Sequence, residues 1–482
     1  MSGNGPSPSP TVVQQLAELA ASVRRDGLPD ALREDVARRV LDLVGNSLAA
    51  GRESSASAVV AVVRGWGGPP DATAIGTGLR VPSAAAALVN GTLAHSLDFD
   101  DTHLPSVLHP SASVVPAALA VAEATGTKGA EMLDAAGVGI EVAVRLGMGG
   151  YDETKGTSEF FERGQHATSI CGAVGAAVAA AMVGGLDADR IADAAGIAAS
   201  MGSGLLEANR TGGTVKRVHC GWAAHAGVVA ADLARHGLTG PPTVIEGRFG
   251  FLQAFCGERA DAAAVTAGLG EHWELPRIFF KPYPCNHFTH AGIDAALELR
   301  ARGVRADDIV AIELGVPTAV LKTIGQPPEE KARPRSGYHA AFSGPYTVAA
   351  ALLGGGGLGV FHEDFTDEAV RDERRLGLAA KVRCVPDEQC DRIFPHQFPA
   401  VLRVDTTDGT RHEVRVNVNR GGPEHPLSTD ELATKVRLNA SRVLDTDHAA
   451  AVARAGLALP GAPDVHELMD LVRGADRGAD RG

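Results

Sequence analysis

From residue 11 to about 270, apolar side chains recur at helical spacing, and no strong period-two stretch interrupts them. Residues 11–23 show the pattern, with Val12, Val13, Leu16, Leu19 and Ala20 on one face. Asp30 is placed to cap a helix that runs to Ala50 and stops at Gly51. Further helices are predicted at 83–96, 113–124, 130–146, 170–183, 188–201 and 223–235, punctuated by Gly and Pro. Only 4% of the residues are aromatic, while Gly numbers 58. Such helices have to close on small residues, at contacts where backbones approach. The longest apolar stretch, 170–186, is Ala/Gly-rich and barely spans a bilayer, so it reads as a buried helix and no membrane association is expected.

The pattern changes near Trp273. Residues 309–316 are β-branched and alternate, and 401–405 and 413–418 flank Asp408-Gly409, a hairpin signal because that pair tolerates positive φ. Helical stretches at 345–353 and 367–378 lie between them, and 429–443 and 447–455 return to helix. The expected fold class is mainly α. A large all-helical domain is built from both chain ends (11–272 and 421–470), with a smaller α+β domain inserted at 273–420. Residues 1–10 and 471–482 read as disordered tails.

A net charge of -13 argues against nucleic-acid binding, which needs a basic face. It leaves room for an anionic small molecule held by a local cationic cluster. The six cysteines form no Cys-x-x-Cys pair and the N-terminus carries no signal-peptide pattern, so a reducing, cytoplasmic setting is expected.

The chemistry-bearing residues crowd into His95-Ser-Leu-Asp98-Phe-Asp100-Asp101-Thr102-His103. Continued as a helix, this stretch puts His95, Asp98 and Thr102 on one face. A Pro-broken loop then leads to His109-Pro-Ser111 and a helix start, where an anion is favoured. Asp-Asp-x-x-Asp spacing fails at Pro105 and a calcium loop is absent, whereas a transition-metal site from His95, Asp98 and His103 stays open as an alternative. Two cations stand out. Lys216 sits in a Gly-bearing loop ahead of an Ala-rich helix, and Lys281 lies between Phe280 and Pro282, a setting suited to proton transfer. His166 opens the apolar helix after Gly164-Gln. No P-loop, dinucleotide fingerprint, His-Glu-x-x-His or nucleophile elbow is present, and neither cofactor nor resident metal is expected.

Several motifs together resemble the MmgE/PrpD family, which includes 2-methylcitrate dehydratases, cis-aconitate decarboxylases and an iminodisuccinate epimerase. They are His95-Ser-Leu-Asp-Phe-Asp-Asp-Thr102 with His109-Pro-Ser, and Lys281-Pro-Tyr-Pro-Cys285. Thr214-Val-Lys216 leading into Gly221-Trp-Ala-Ala-His-Ala-Gly227, Phe342-Ser-Gly-Pro-Tyr346 and Pro426-Leu-Ser-Thr-Asp-Glu431 complete the set. The resemblance implies a helical domain with a smaller α+β lid, usually as a homodimer. Its decarboxylase branch implies active-site positions at Asp98, Thr102, His109, His166, Lys216, Lys281 and Tyr346. This chain departs from that branch in a segment from Thr102 to His109 one residue longer, and in Asn286 where a His is usual, with His287 adjacent. Asp100 replaces the Asn that is frequent among the dehydratases.

The expectation is a cofactor-independent lyase that moves a proton α to a carboxylate of a small di- or tricarboxylate such as 2-methylcitrate or cis-aconitate. Asp98, His109, His166, Lys216 and Lys281 are the catalytic candidates, with Thr102, Tyr346, Asn286 and His287 contacting substrate. An epimerase of an imino- or amino-dicarboxylate is the alternative, and a non-catalytic scaffold a third reading.

Overall fold

The computed structural model describes residues 9–208 and 213–474; most of both expected tails, and residues 209–212 of the loop before Lys216, lie outside the described residues. The chain is mainly α-helical and divides by its contacts into two compact units. The first comprises Met1–Ser96, Asp100–Arg277 and Asn439–Gly482, and the second Leu97–Phe99 with Ile278–Leu438.

In the first unit the helix Val12–Asp26 opens on a capping box between Thr11 and Gln14 and buries Val12, Val13, Leu16, Leu19 and Ala20. The next helix, Asp30–Ala49, is preceded by Pro29. Asp30 is therefore its first residue, an acid favourable to the dipole, and not its cap. Ser54–Trp66 is a further helix that the spacing did not suggest. Ser83–His95, Ser111–Thr125, Gly129–Met148, Ala167–Val183 and Ala188–Ala199 follow close to expectation. Lys216–Arg235 begins seven residues earlier than expected, so Lys216 starts a helix and does not sit in a loop. The bundle also contains two ladders of paired two-residue strands, Ala72–Thr73 with Arg80–Val81 and Tyr151–Asp152 with Thr157–Ser158.

Small residues do bring backbones together. Where Gly129–Met148 crosses Ala167–Val183, a Cβ on Gly139 would lie 2.5 Å from the Gly175 carbonyl oxygen, and one on Gly175 would run into that of Gly139. At the C-terminus Thr446–Ala458 and His466–Val472 are helical, so order extends into the stretch read as a tail.

The second unit holds a four-stranded sheet of β1 (Ile309–Val316), β2 (Val382–Pro386), β3 (Ala400–Thr406) and β4 (Arg411–Val416), in the order β2-β1-β3-β4. β1 pairs parallel with β2 and antiparallel with β3, which pairs antiparallel with β4. The turn from β3 to β4 uses Gly409 at φ 82, with Asp408 accepting from the Thr410 amide and the Thr406 hydroxyl. Helices His290–Ala301 and Gly344–Leu353 pack with this sheet in a core that includes Ile312, Leu314, Val348 and Leu402. In place of one helix over 367–378 there is a 3₁₀ turn at Ala369–Arg371 and a helix Glu373–Ala379. The Asp372 carboxylate restarts the helix by accepting from the Arg374 and Arg375 amides. Among the described residues no helix is long and apolar enough to cross a membrane.

Candidate active site

The helix Ser83–His95 stops at His95, and the next residues cannot extend it because Asp98 takes a left-handed φ of 53. The expected shared face of His95, Asp98 and Thr102 therefore does not form. Released from the helix, the chain turns so that Asp100 Oδ2 lies 2.7 Å from His95 Nδ1, both side chains being buried. Burial opposes a charge on His95. The Asp100 carboxylate and the Cys220 side chain outweigh it and lift the imidazole pKa to about 10. His95 is thus a buried cation at neutral pH.

The loop from Asp101 to Ser111 is pinned by Asp101. Its carboxylate accepts from the Ser111 hydroxyl (2.6 Å) and amide (3.3 Å) and pairs with Arg39 at 3.2 Å. Burial pushes Asp101 up to about 6, against the opposing pull of Arg39 and Ser111. Its carbonyl oxygen accepts from His109 Nδ1 at 2.7 Å, and Thr102 Oγ1 stands 3.3 Å from the same nitrogen. A carbonyl can only accept, so Nδ1 carries a proton, and Nε2 is the nitrogen left to exchange one. His103 is tied to Ser106 (2.7 Å) and faces Glu274 (3.3 Å), closing the loop with a bridge to Leu108. Val107, a β-branched residue at φ 54, holds the tip in a strained conformation.

His166 caps the helix Ala167–Val183 from its N-terminal side and is 4% exposed. Its ring centroid lies 5.3 Å from that of His95, which is equally 5.3 Å from His109. His166 Nδ1 meets His219 Nδ1 at 3.1 Å. Burial, followed by the charges of His95 and Lys216, drives His166 well below the ordinary histidine value. The same forces take His219 to about 4. Both rings are neutral at pH 7. His109, Gln165, His166 and Lys216 line, with Val107 and Phe161 among others, a narrow cleft of about 50 Å³. One ammonium and two imidazoles thus face a space open to a small anion, with His95 behind them.

In the second unit Lys281, 1% exposed, donates to the Asp98 carbonyl oxygen at 2.9 Å and to Asp98 Oδ1 at 3.1 Å. Lys435 donates to the carbonyls of Phe99 (3.1 Å) and Lys281 (2.8 Å) with its ammonium 3.7 Å from the Phe99 ring centroid. Asn286 accepts from the Phe288 amide and so caps the short turn His287–Thr289. The His287 ring centroid lies 4.6 Å from that of His290, the planes tilted by 41°, and His290 Nε2 donates to the Cys285 carbonyl. Tyr346 is fully buried, and its hydroxyl donates to the Asp364 carbonyl at 2.7 Å.

The structure therefore brings Thr102, His109, His166 and Lys216 together in one unit, and Asp98 with Lys281 in the other. His95, Asp100, Cys220 and His219 lie beside the first group; the sequence reading singled out His95 and Asp100 within the motif without placing them among the catalytic candidates, and passed over His219 and Cys220. Cys220 and His219 lie within Lys216–Arg235, where only the helical phase relative to Lys216 could have drawn attention to them. The alternative metal set does not assemble: His95 is committed to Asp100, His103 to Ser106, and Asp98 to Lys281. Among the described residues no group of three or more His, Cys, Asp or Glu side chains is arranged to hold a metal ion.

A helical unit with a cleft walled by imidazoles and a lysine holds the groups that acid–base chemistry needs. Residues 14–263 match the MmgE/PrpD N-terminal domain and residues 283–459 the MmgE/PrpD C-terminal domain; the chain belongs to the MmgE/PrpD family. It is similar to the cis-aconitate decarboxylase of Aspergillus terreus, 27% identical over 478 residues and 96% of each chain. The cis-aconitate decarboxylase of Homo sapiens is 30% identical over 427 residues, 85% of this chain and 82% of that one. The cis-aconitate decarboxylase-like protein oryM of Aspergillus oryzae is 29% identical over 419 residues, 83% of this chain and 84% of its own.

Proposed function

We propose that this chain is a cofactor-independent lyase that decarboxylates or dehydrates a small tricarboxylate, with cis-aconitate the foremost candidate and 2-methylcitrate the next. The observation that carries the reading is the cleft lined by His109, His166 and Lys216, with protonated His95 5.3 Å from both imidazoles. Chemistry α to a carboxylate builds negative charge on a group that is already anionic, so it needs fixed cations and a positioned acid and base. Lys216 would neutralise a substrate carboxylate, and the positive field of His95 would favour anion binding. His109 and His166 would act as the acid/base pair, with Thr102 orienting His109.

In decarboxylation the carbon–carbon bond to the leaving CO₂ breaks, its electron pair stays on carbon, and an imidazole N–H supplies the proton. In dehydration the base takes a proton from carbon and the acid protonates the departing hydroxyl. Asp98 and Lys281 are proposed as a further proton-transfer or carboxylate-binding pair. His287, Asn286 and Tyr346 remain substrate-contact candidates, although Asn286 and Tyr346 already make internal hydrogen bonds. We further propose a homodimer in which the α+β unit, read from the sequence as 273–420, acts as a lid.

The epimerase alternative drew on Asn286 and Asp100. Asn286 caps a turn and Asp100 pairs with His95, so neither residue favours it. Proton NMR of the purified protein in D₂O with cis-aconitate, 2-methylcitrate and iminodisuccinate separates the readings. New vinyl signals with loss of CO₂ or water support the lyase. Deuterium wash-in without a new carbon skeleton supports the epimerase, and no change with any of the three removes both.

A further inference from the structure

We infer that His219 is the outer half of a two-histidine proton relay that feeds His166 from solvent, a role resting on the lyase reading above. The geometry begins with the Nδ1–Nδ1 contact of 3.1 Å, which is a hydrogen bond only if one ring donates and the other accepts. His166 is sealed, and its Nε2 is buried without a hydrogen-bond partner in a residue that lines the cleft. His219, in the first turns of Lys216–Arg235, is partly exposed. The pair therefore runs from the cleft wall towards water.

Gly204 keeps the contact open. At φ 152 its amide carbonyl accepts from the His166 amide at 3.0 Å, and a Cβ there would stand 3.2 Å from His219 Nδ1 and 3.1 Å from His166 Cβ. The charged and titratable groups facing His166 are His95, Lys216, His219 and His109. The cationic surroundings make a second imidazolium expensive, which bars the usual route of protonating His166 and then spending that proton. A paired shift avoids the problem.

With His219 donating through Nδ1–H, His166 carries its proton on Nε2. During turnover the His166 Nε2–H bond breaks as the bond from hydrogen to the substrate carbanion forms. The His219 Nδ1–H proton moves to His166 Nδ1, and a solvent acid supplies a proton to His219 Nε2. Each nitrogen that loses a proton keeps the bonding pair, and both rings are neutral before and after. The shift makes a neutral imidazole a competent acid, because the proton leaving Nε2 is balanced by one arriving at Nδ1. After product leaves, cleft water protonates His166 Nε2 and the two hops run backwards, returning a proton to solvent from His219.

The test compares wild type with His219→Phe and His219→Gln on whichever acid the wild type turns over. A relay predicts a kcat at least tenfold lower in both variants, KM within about twofold, and partial restoration of His219→Phe by added imidazole. Unchanged kcat, or a raised KM with no response to imidazole, overturns it. Histidine ¹⁵N NMR of the wild type at pH 7 reads the pair without substrate. It should show both rings neutral with one Nδ1 protonated and the other not. An imidazolium at either ring, or two unprotonated Nδ1 atoms, overturns the relay. A wild type inactive on every acid refutes the lyase reading instead, and the NMR result then decides the pair on its own.

Discussion

Lys281 and Asp98 are joined twice, the buried ammonium donating to both the main-chain carbonyl and the carboxylate of the same residue. The double contact needs Asp98 in the left-handed backbone region, at φ 53, where Asp is tolerated and a β-branched residue is strained. One residue thus ends the helix before it, offers two acceptors and compensates a buried charge.

Replacing Asp98 should separate these roles. Asp98→Asn keeps the backbone and an acceptor, and should cost about 1–2 kcal/mol. Asp98→Val strands the ammonium beside a single carbonyl and adds backbone strain, for a loss of about 4 kcal/mol or more. Urea unfolding of the two variants at pH 7 reads the difference; equal losses would mean that the carboxylate and the φ angle contribute nothing separable.

His95 predicts a specific alkaline weakness. Its folded pKa of about 10 lies above the unfolded value near 6.5, so its contribution to stability is complete below about 6.5 and is lost as the pH rises towards 10. Asp100→Asn and Cys220→Ser should each lower that pKa and flatten the loss. Following the His95 Cε1 proton by NMR between pH 6 and 11 checks it, and a His95 that titrates near 6.5 in the wild type would contradict the ion pair.

The opposite sign applies to His166 and His219. Their folded pKa values are depressed, so their contribution is present above about 6.5 and is lost as the pH falls towards 4. His219→Gln, which has no titrating ring, should retain more of its neutral-pH stability at pH 4.5 than the wild type does. Denaturation midpoints at pH 7 and pH 4.5 provide the comparison, and parallel losses in both proteins would contradict the assignment.

The bundle was readable from spacing where one face repeats, as at Val12, Val13, Leu16 and Leu19, whereas the capping box between Thr11 and Gln14 was not singled out. The hairpin at Asp408-Gly409 was readable because its turn chemistry is local. The second strand of the sheet, Val382–Pro386, was not. It is short, and its parallel partner lies some seventy residues away in Ile309–Val316. At the site, helical extrapolation past His95 failed because nothing local marks Asp98 as left-handed. Once it turns, His95 meets Asp100 in place of a shared face with Thr102. The start of Lys216–Arg235 was hidden by the glycines before it, and with it the placement of His219 and Cys220 one turn on from Lys216.

The Gly139–Gly175 crossing gives a packing prediction. Alanine at either position places a methyl against a backbone carbonyl that cannot move without separating two buried helices. Gly175→Ala should cost about 1–3 kcal/mol, whereas Gly377→Ala, where a Cβ meets nothing within 4 Å, should be neutral or slightly stabilising. Thermal unfolding of the two single variants distinguishes them.

If the cleft is the site of chemistry, His109→Ala and Lys216→Ala should each lower kcat by about 10²–10⁴-fold with far-UV circular dichroism unchanged. Activity retained in either variant would move the chemistry elsewhere.

We propose that these imidazoles and lysines break a bond α to a carboxylate without help from a cofactor. The direct measurement is the release of ¹³CO₂ from uniformly ¹³C-labelled cis-aconitate by the purified, chelator-treated chain in D₂O. One CO₂ and one carbon-bound deuteron per turnover are expected. No CO₂ from cis-aconitate, and no loss of water from 2-methylcitrate under the same conditions, would contradict it.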